Sequence, residues 1–118
     1  MAEVEVQQTG EIVVVRLVGE VDLSNVETVR TALLEPVGHE TESLIVDLGA
    51  TQYLDSTGIR MLFDVALRLH ARRQNLRLVV SDETIVRRVL VLTKLDQSVP
   101  FDRSVDAALA ACERMEKI

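Results

Sequence analysis

A single serine between acidic and hydroxyl residues is the feature of this sequence that could do chemistry. Asp55, Ser56, Thr57 and Gly58 stand directly before an amphipathic segment. Ser56 is therefore expected at a helix N-terminus, where unpaired backbone N–H groups and the positive end of the helix dipole accommodate a phosphate. Because Asp and Ser are also common helix caps, the alternative is that Asp55 or Ser56 only caps this helix. Ser56 is thus a candidate phosphoacceptor, with a capping role as the alternative.

Two further residues are expected to support chemistry at Ser56. Gly58 lacks a Cβ, so we expect it to let a partner approach the Ser56 hydroxyl closely. Asp22 follows the second predicted strand, where it serves either as a turn residue beside Ser24 or as a group that orients Ser56 or a kinase. Only the placement of Asp22 relative to Ser56 separates these two roles.

A serine hydrolase is the main enzymatic alternative, and the sequence disfavours it. Such an enzyme needs a base within hydrogen-bond reach of its serine and an oxyanion hole, and the Gly-x-Ser-x-Gly motif is absent here. His70 continues an apolar stripe and is expected to be packed, whereas His39 lies in a polar loop. We therefore predict no catalytic residue and no enzymatic activity.

The composition and charge exclude several classes of partner and cofactor. Thirteen Lys and Arg against nineteen Asp and Glu give a net charge of −6, the wrong sign for a nucleic-acid binder. One cysteine rules out an internal disulfide, and two histidines without ligand spacing provide no metal or cofactor framework. The acidic start and the lack of an apolar run of about 20 residues predict neither a signal peptide nor a membrane span. The expected location is the cytoplasm.

The hydrophobic pattern predicts one α/β domain over residues 1–118. Aliphatic runs of strand length alternate with helical segments in the order β-β-α-β-α-β-α-(β)-α. A hairpin followed by crossover connections gives a mixed sheet of four or five strands covered by helices. The expected strands are 3–7, 12–18, 44–48, 76–80 and a short edge strand at 99–101; the expected helices are 25–34, 56–70, one ending near 93, and 104–113.

The helix starts are predicted from capping residues. Ser24 and Glu27 have the spacing of a capping box for the first helix. Ser81 or Asp82 is expected to cap the third helix, and Ser104 the last one.

Helical spacing also predicts which apolar side chains stay at the surface. The expected core stripe of the second helix consists of Ile59, Leu62, Phe63, Ala66, Leu69 and His70. Met61 and Val65 lie more than a quarter turn from the centre of this stripe and are expected to be exposed, as is Leu90 in the third helix. Met61 and Leu90 are therefore candidate partner contacts.

Two short motifs at a characteristic separation suggest a family. Gly19-Glu20-Val21-Asp22 follows the second strand, and Asp47-Leu48 leads to Leu54-Asp55-Ser56-Thr57-Gly58. Together they resemble the STAS domain. Over roughly residues 4–113 the chain is similar to a free-standing bacterial anti-sigma factor antagonist, also called an anti-anti-sigma factor.

The resemblance implies a partner-switching regulator. The unphosphorylated protein would bind an anti-sigma factor with serine-kinase activity and free a sigma factor, and phosphorylation would reverse the exchange. Ser56 matches the family's phosphorylated serine, the kinase would supply ATP and Mg²⁺, and a serine phosphatase would restore the free form. Together with Met61 and Leu90, which helical spacing suggests, the expected partner-binding residues are Asp22, Ser24, Asn25, Leu54, Asp55, Thr57 and Gly58. The resemblance also leaves open a STAS subunit of a stressosome or a lipid-transport complex.

Overall fold

Residues 2–116, which the computed structural model describes, form six strands and four α-helices. The strands are β1 (Ala2–Thr9), β2 (Ile12–Val21), β3 (Ser43–Asp47), β4 (Thr51–Leu54), β5 (Asn75–Val79) and β6 (Phe101–Asp102). The helices are α1 (Val26–Leu34), α2 (Ser56–Ala71), α3 (Ile85–Leu92) and α4 (Val105–Glu116), with a 3₁₀ turn at Leu95–Gln97. The predicted α/β class and mixed sheet are confirmed, with one strand more than expected.

The sheet order explains why the aliphatic runs of β2 and β3 are nearly continuous. β1 lies at one edge and pairs antiparallel with β2, and β3, β5 and β6 follow in parallel. The predicted hairpin turns at Gly10, whose φ of 61° suits a residue without a Cβ. Central strands covered on both faces need no polar alternation, so their sequences read as continuous apolar runs.

Helices cover both faces of the sheet. Val13 and Val15 of β2 belong to the larger core cluster, which α1, α2 and α3 complete on one face. Ile12 and Val14 point to the other face, where Cys112 of α4 packs against them. Alternate β2 side chains therefore build two separate cores, as the pleat of a strand requires.

Strand β4 is the element that the sequence analysis missed. It pairs in parallel with the end of β2, from Gly19 opposite Thr51 to Val21 opposite Leu54, with an irregularity after Gly19. Gly19 has a φ of 106°, and its N–H donates to the Ala50 carbonyl at 3.0 Å. The four residues of β4 form no aliphatic run, and the two central ones are exposed, so hydrophobic periodicity did not indicate a strand. Because β4 ends at Leu54 and α2 begins at Ser56, this pairing fixes the position at which α2 starts.

The capping box predicted for α1 is wrong. Asn25 occupies the N-cap position but makes no side-chain cap hydrogen bond. The Ser24 hydroxyl donates instead to the Asp22 carboxylate, so it is turned away from the helix. The reason is that the loop holds its own turn, which competes with the cap for the same short polar side chains.

The cap predicted for α3 is also wrong, whereas that of α4 is right. Thr84 caps α3 by accepting a hydrogen bond from the Arg87 N–H at 3.1 Å, so the helix begins later than a cap at Ser81 or Asp82 would place it. At α4 the Ser104 hydroxyl accepts from a backbone N–H three residues on, at 3.0 Å. Several consecutive polar residues before α3 left its first residue ambiguous.

The surface positions predicted for α2 are wrong. Met61 and Val65 are fully buried (0% exposed), whereas His70 is exposed. Ile59, Leu62 and Leu69 are buried as predicted. Because α2 packs against both the sheet and α1, its buried face is wider than one stripe and is rotated toward Met61. The full set of buried residues is Gly58, Ile59, Met61, Leu62, Val65 and Leu69.

The exposed residue predicted for α3 is wrong as well. Leu90 is fully buried, and with Val86 four residues earlier it forms the inward face. The outward apolar residues are Ile85 and Leu92, which are 76% and 75% exposed. Six of the eight residues of α3 are apolar, and Arg87 and Arg88 are its only polar residues. They mark one side only coarsely, so the orientation of the helix depended on tertiary packing.

Leu90→Ala should destabilise the domain strongly, and Leu92→Ala should not. Truncating a fully buried leucine costs about 2–5 kcal/mol, whereas a change at an exposed position of the same helix costs about 0.5 kcal/mol or less. Urea unfolding of both variants measures the difference directly. Equal free energies of unfolding would contradict the described orientation of α3.

Candidate functional site

The site is built where the ends of β2 and β4 lie side by side. Val21 pairs with Leu54, and the backbone N–H of Asp55 donates to the Val21 carbonyl at 3.2 Å. The loop that follows β2 and the first turn of α2 therefore meet at one edge of the domain. Asp22 and Ser56, which are 34 positions apart in the sequence, each follow directly after these contacts.

Asp55 is the N-cap of α2. The sequence analysis predicted that either Asp55 or Ser56 could cap this helix. Its Oδ1 atom accepts hydrogen bonds from the backbone N–H groups of Thr57 (2.9 Å) and Gly58 (3.0 Å), and from the Thr57 hydroxyl. These bonds favour the ionised carboxylate, so the Thr57 hydroxyl first and the Gly58 N–H second lower the pKa of Asp55. The backbone N–H of Leu23 in the facing loop lowers this pKa further.

Ser56 is the first residue of α2, and its side chain is exposed. Its hydroxyl makes no hydrogen bond to any residue in the part of the chain that the structure describes. The neighbouring Thr57 is half-buried, and its hydroxyl is bound to Asp55. Ser56 therefore presents an accessible and uncommitted nucleophile, and the capping role falls to Asp55 alone.

Asp22 acts as a turn residue in the loop after β2. Its Oδ1 accepts from the backbone N–H of Ser24 at 2.9 Å and from the Ser24 hydroxyl. Asn25 completes the turn, because its side chain accepts from the Asp22 N–H (3.0 Å) and donates to the Glu20 carbonyl (2.9 Å). Within residues 2–116, no hydrogen bond joins Asp22 to Ser56.

The two aspartates lie close enough to influence each other. The hydrogen bond from the Ser24 hydroxyl is the main cause of the lowered pKa of Asp22, while the Asp55 carboxylate opposes it by repulsion. Both carboxylates are ionised at neutral pH, so the surroundings of Ser56 are negative. Arg60 is exposed one helical turn after Ser56 and brings a positive charge to the same side of α2.

Gly58 and Leu54 are buried beneath the start of α2 and present no surface to a partner. A Cβ at Gly58 would lie 3.2 Å from Leu54 Cδ2 and 3.3 Å from Val21 Cγ1, so its bare Cα faces the core. Gly58 and Leu54 are both buried. The expectation that Gly58 lets a partner approach the Ser56 hydroxyl is therefore wrong. What its missing side chain provides is close contact between α2 and the paired strands.

Met61 and Leu90, which were predicted as partner contacts, are buried. Two other apolar residues are exposed near the site. Leu23 is 76% exposed, in the loop whose backbone N–H faces the Asp55 carboxylate, and Tyr53 of β4 is 51% exposed. The position of Leu23 between two polar turn residues is the sequence signal that could have indicated its exposure. Tyr53 was hidden because β4 was not predicted.

The family comparison agrees with this architecture. Residues 3–108 match the model of the STAS domain, so the chain belongs to the STAS domain family. A comparison with curated proteins found no significant match.

Solved structures of similar fold include several proteins from sigma-factor regulation. An anti-sigma factor antagonist from Mycobacterium paratuberculosis is 26% identical, with a TM-score of 0.83 over 94% of this chain and 93% of that one. The anti-sigma factor antagonist SpoIIAA in its unphosphorylated form is 23% identical, with a TM-score of 0.65 over the full length of both chains. The phosphorylated form of SpoIIAA from Bacillus is 22% identical, with a TM-score of 0.64 over 93% and 99%.

Residues 2–116 contain no group of three or more His, Cys, Asp or Glu side chains that could hold a metal ion. No helix among them is long and apolar enough to cross a membrane.

Asp55→Asn should remove a pH-dependent part of the stability. A carboxylate whose folded pKa is lowered contributes stability that is complete above its unfolded pKa of about 3.9 and is lost as the pH falls through the folded pKa. The wild type should therefore be more stable than Asp55→Asn at pH 7, with the difference shrinking below about pH 4. Denaturant unfolding across this range measures it.

Thr57→Val tests the cause of this pH dependence. It removes the hydroxyl that contributes most to lowering the pKa of Asp55, so it should weaken the same pH dependence while keeping the carboxylate. A stability difference between wild type and Asp55→Asn that is unchanged from pH 7 to pH 3 would contradict the assignment.

Proposed function

We propose that this protein is an anti-sigma factor antagonist whose binding is switched off by phosphorylation of Ser56. The unphosphorylated form binds an anti-sigma factor with serine-kinase activity, and this frees the sigma factor that the kinase had held. The observation that carries the proposal is the exposed, uncommitted Ser56 hydroxyl at the start of α2, in a STAS domain. Two similar folds are recorded for SpoIIAA without and with its phosphate, which supports a phosphorylation switch.

A phosphate on Ser56 would act locally and leave the fold intact. It adds about −1.5 to −2 charges, which the positive end of α2 favours and the Asp55 carboxylate disfavours. Asp55 already occupies the N–H groups of Thr57 and Gly58, so the phosphate finds fewer free donors than a bare helix end would offer. The net change in the free energy of unfolding is therefore small, and the phosphate mainly lowers the affinity for the partner.

Release of the partner requires only a moderate loss of binding free energy. A hundredfold loss of affinity corresponds to about 2.7 kcal/mol. Desolvating a phosphate in a tight interface, or placing it against a carboxylate without new donors, is enough to supply this. The switch therefore needs no rearrangement of the sheet or of the helices.

The protein acts in this scheme as a binding module, and the kinase supplies the chemistry. The kinase brings ATP, Mg²⁺ and the catalytic base, and a serine phosphatase reverses the modification. A hydrolase reaction at Ser56 finds no support, because His70 is 14 residues further along α2, or about 21 Å at 1.5 Å per residue. We place the exchange in the cytoplasm, where sigma factors act.

Ser56→Ala and Ser56→Glu should separate folding from switching. Ser56→Ala should bind the anti-sigma factor and stay bound when ATP is added, because it cannot accept a phosphate. Ser56→Glu, an imperfect mimic, should keep a near-wild-type melting temperature but lose most of the binding. Thermal melting paired with calorimetric titration measures both properties.

Phosphopeptide mapping of the wild type and Ser56→Ala after incubation with the kinase assigns the modified residue. Modification confined to Thr57 or Ser24, or persisting in Ser56→Ala, would refute Ser56 as the acceptor. A Ser56→Glu variant that unfolds, or that binds as tightly as Ser56→Ala, would refute switching by local repulsion. Recovery of a stressosome or lipid-transport protein as the partner would replace the sigma-factor assignment.

Leu23→Asp should weaken partner binding by about tenfold or more without unfolding the domain. Leu23 is a mostly exposed aliphatic side chain in the loop whose backbone N–H faces the Asp55 carboxylate, and an unpaired charge placed in an apolar interface costs a factor of this size. Leu67→Asp is the matched control, because Leu67 is 69% exposed on the same domain but lies 11 residues beyond Ser56 along α2. Equal affinities of the two variants in calorimetric titration would place the interface elsewhere.

A further inference from the structure

Three hydroxyl groups lie on the loop and helix start that form the site, and they are not equivalent. The Ser24 hydroxyl donates to Asp22, and the Thr57 hydroxyl donates to Asp55. The Ser56 hydroxyl has no hydrogen-bond partner among residues 2–116. At this surface one hydroxyl is therefore free to react with a kinase, and two are already hydrogen-bonded to aspartates.

The two committed hydroxyls are held in the same way. In each case the carboxylate belongs to the residue two positions earlier, and one oxygen atom accepts both the hydroxyl and the backbone N–H of the same residue. The N–H distances are 2.9 Å from Ser24 to Asp22 and 2.9 Å from Thr57 to Asp55. Two-point contact to one charged oxygen fixes the side-chain rotamer as well as the direction of the hydroxyl proton.

This arrangement opposes phosphoryl transfer to Ser24 and Thr57. In the transfer, the hydroxyl oxygen bonds to the γ-phosphorus of ATP, the bond to the bridging oxygen of ADP breaks, and the hydroxyl proton passes to the base of the kinase. A hydroxyl that donates to an aspartate points its proton away from that base. Its oxygen also touches a carboxylate, which repels the incoming γ-phosphate.

We propose that Asp22 and Asp55 are specificity-determining residues that confine phosphorylation to Ser56 by holding the hydroxyls of Ser24 and Thr57. This inference rests on the proposed function, because it assumes a kinase that acts at this surface. It assigns the two aspartates a role beyond the turn and the helix cap that they form. The same hydroxyl hydrogen bonds are the main cause of the lowered pKa of each aspartate, in agreement with this geometry.

The decisive experiment maps phosphorylation in a Ser56→Ala background. The kinase is the one captured from the native cell on immobilised Ser56→Ala protein, supplied with Mg²⁺ and ATP. Ser56→Ala alone should show only a slow background phosphorylation of Thr57 and Ser24. Adding Asp55→Ala should raise the rate of Thr57 phosphorylation by about tenfold or more, the factor that loss of one charge-assisted hydrogen bond allows, and adding Asp22→Ala should do the same for Ser24.

Asp55→Ala with Ser56 intact is measured in parallel, because Asp55 is also an expected partner-binding residue, and the Thr57 rate of the double variant is expressed relative to the Ser56 rate of this variant. If Asp55→Ala is phosphorylated at Ser56 and Thr57 remains unmodified in the double variant, the proposal is overturned. If Asp55→Ala is no longer phosphorylated at Ser56, and its Thr57 hydroxyl proton exchanges with water as slowly as in the wild type, Asp55 acts only as a kinase contact and the proposal is overturned. Asp55→Asn, which keeps a capping oxygen without the charge, serves if the alanine variant does not fold, and it should give an intermediate rate at Thr57.

A kinase-independent measurement separates this inference from the proposed function. NMR exchange of the hydroxyl protons with water should be slow for Thr57 and Ser24 in the wild type and at least about tenfold faster in Asp55→Ala and Asp22→Ala respectively. Equal exchange rates in wild type and variants would overturn the holding role even if Ser56 is phosphorylated. Slow exchange in a wild type that no kinase modifies would retain the holding role and refute the proposed function.

Discussion

The parallel pairing of β4 with the end of β2 is the constraint on which the site depends. It sets Leu54 opposite Val21 and delivers Asp55 to the Val21 carbonyl, so that α2 begins beside the loop that follows β2. Gly58 permits the close approach, because any larger residue would press on these same two side chains. The exposed serine is therefore held by backbone pairing and core packing, while its own side chain stays free. This separation lets a modification change the surface without changing the fold.

Under the proposed function, the charges around Ser56 determine how this surface would respond to a phosphate. Asp55 directly precedes the serine and Asp22 lies in the facing loop, and hydrogen bonds from hydroxyl and backbone groups keep both carboxylates ionised. The donors at the start of α2 that a phosphate would seek are already bound to Asp55. An added phosphate thus stays on the surface as net negative charge, and a partner that covers the serine must desolvate it or oppose it. Leu23 is an exposed apolar side chain in the loop that faces Asp55, and under the proposed function it would add apolar surface to this contact.

The sequence predicted the fold and the motif better than the directions of side chains. Continuous aliphatic runs and a hairpin identified β1, β2, β3 and β5, and the α2 start was placed correctly because Asp55 is a strong cap. β4 was missed because its pairing with β2, and no local pattern, makes it a strand. Met61 was assigned to the surface because a helical stripe shows only one contact face, whereas α2 is also covered by α1. Leu90 was assigned to the surface because most residues of α3 are apolar and do not mark its inward face. The bound states of the Ser24 and Thr57 hydroxyls depend on rotamers that no sequence pattern fixes.

The affinity of one sample of protein before and after phosphorylation tests the central claim most directly. The wild type would be phosphorylated to one phosphate per chain, and its binding to the anti-sigma factor would be compared by calorimetry with that of the unmodified protein. Amide NMR spectra of both forms would be recorded alongside. We predict an affinity loss of about a hundredfold, with chemical-shift changes confined to the loop after β2 and the first turns of α2. Unchanged affinity, or spectral changes spread through the sheet, would contradict a switch that acts by local charge at Ser56.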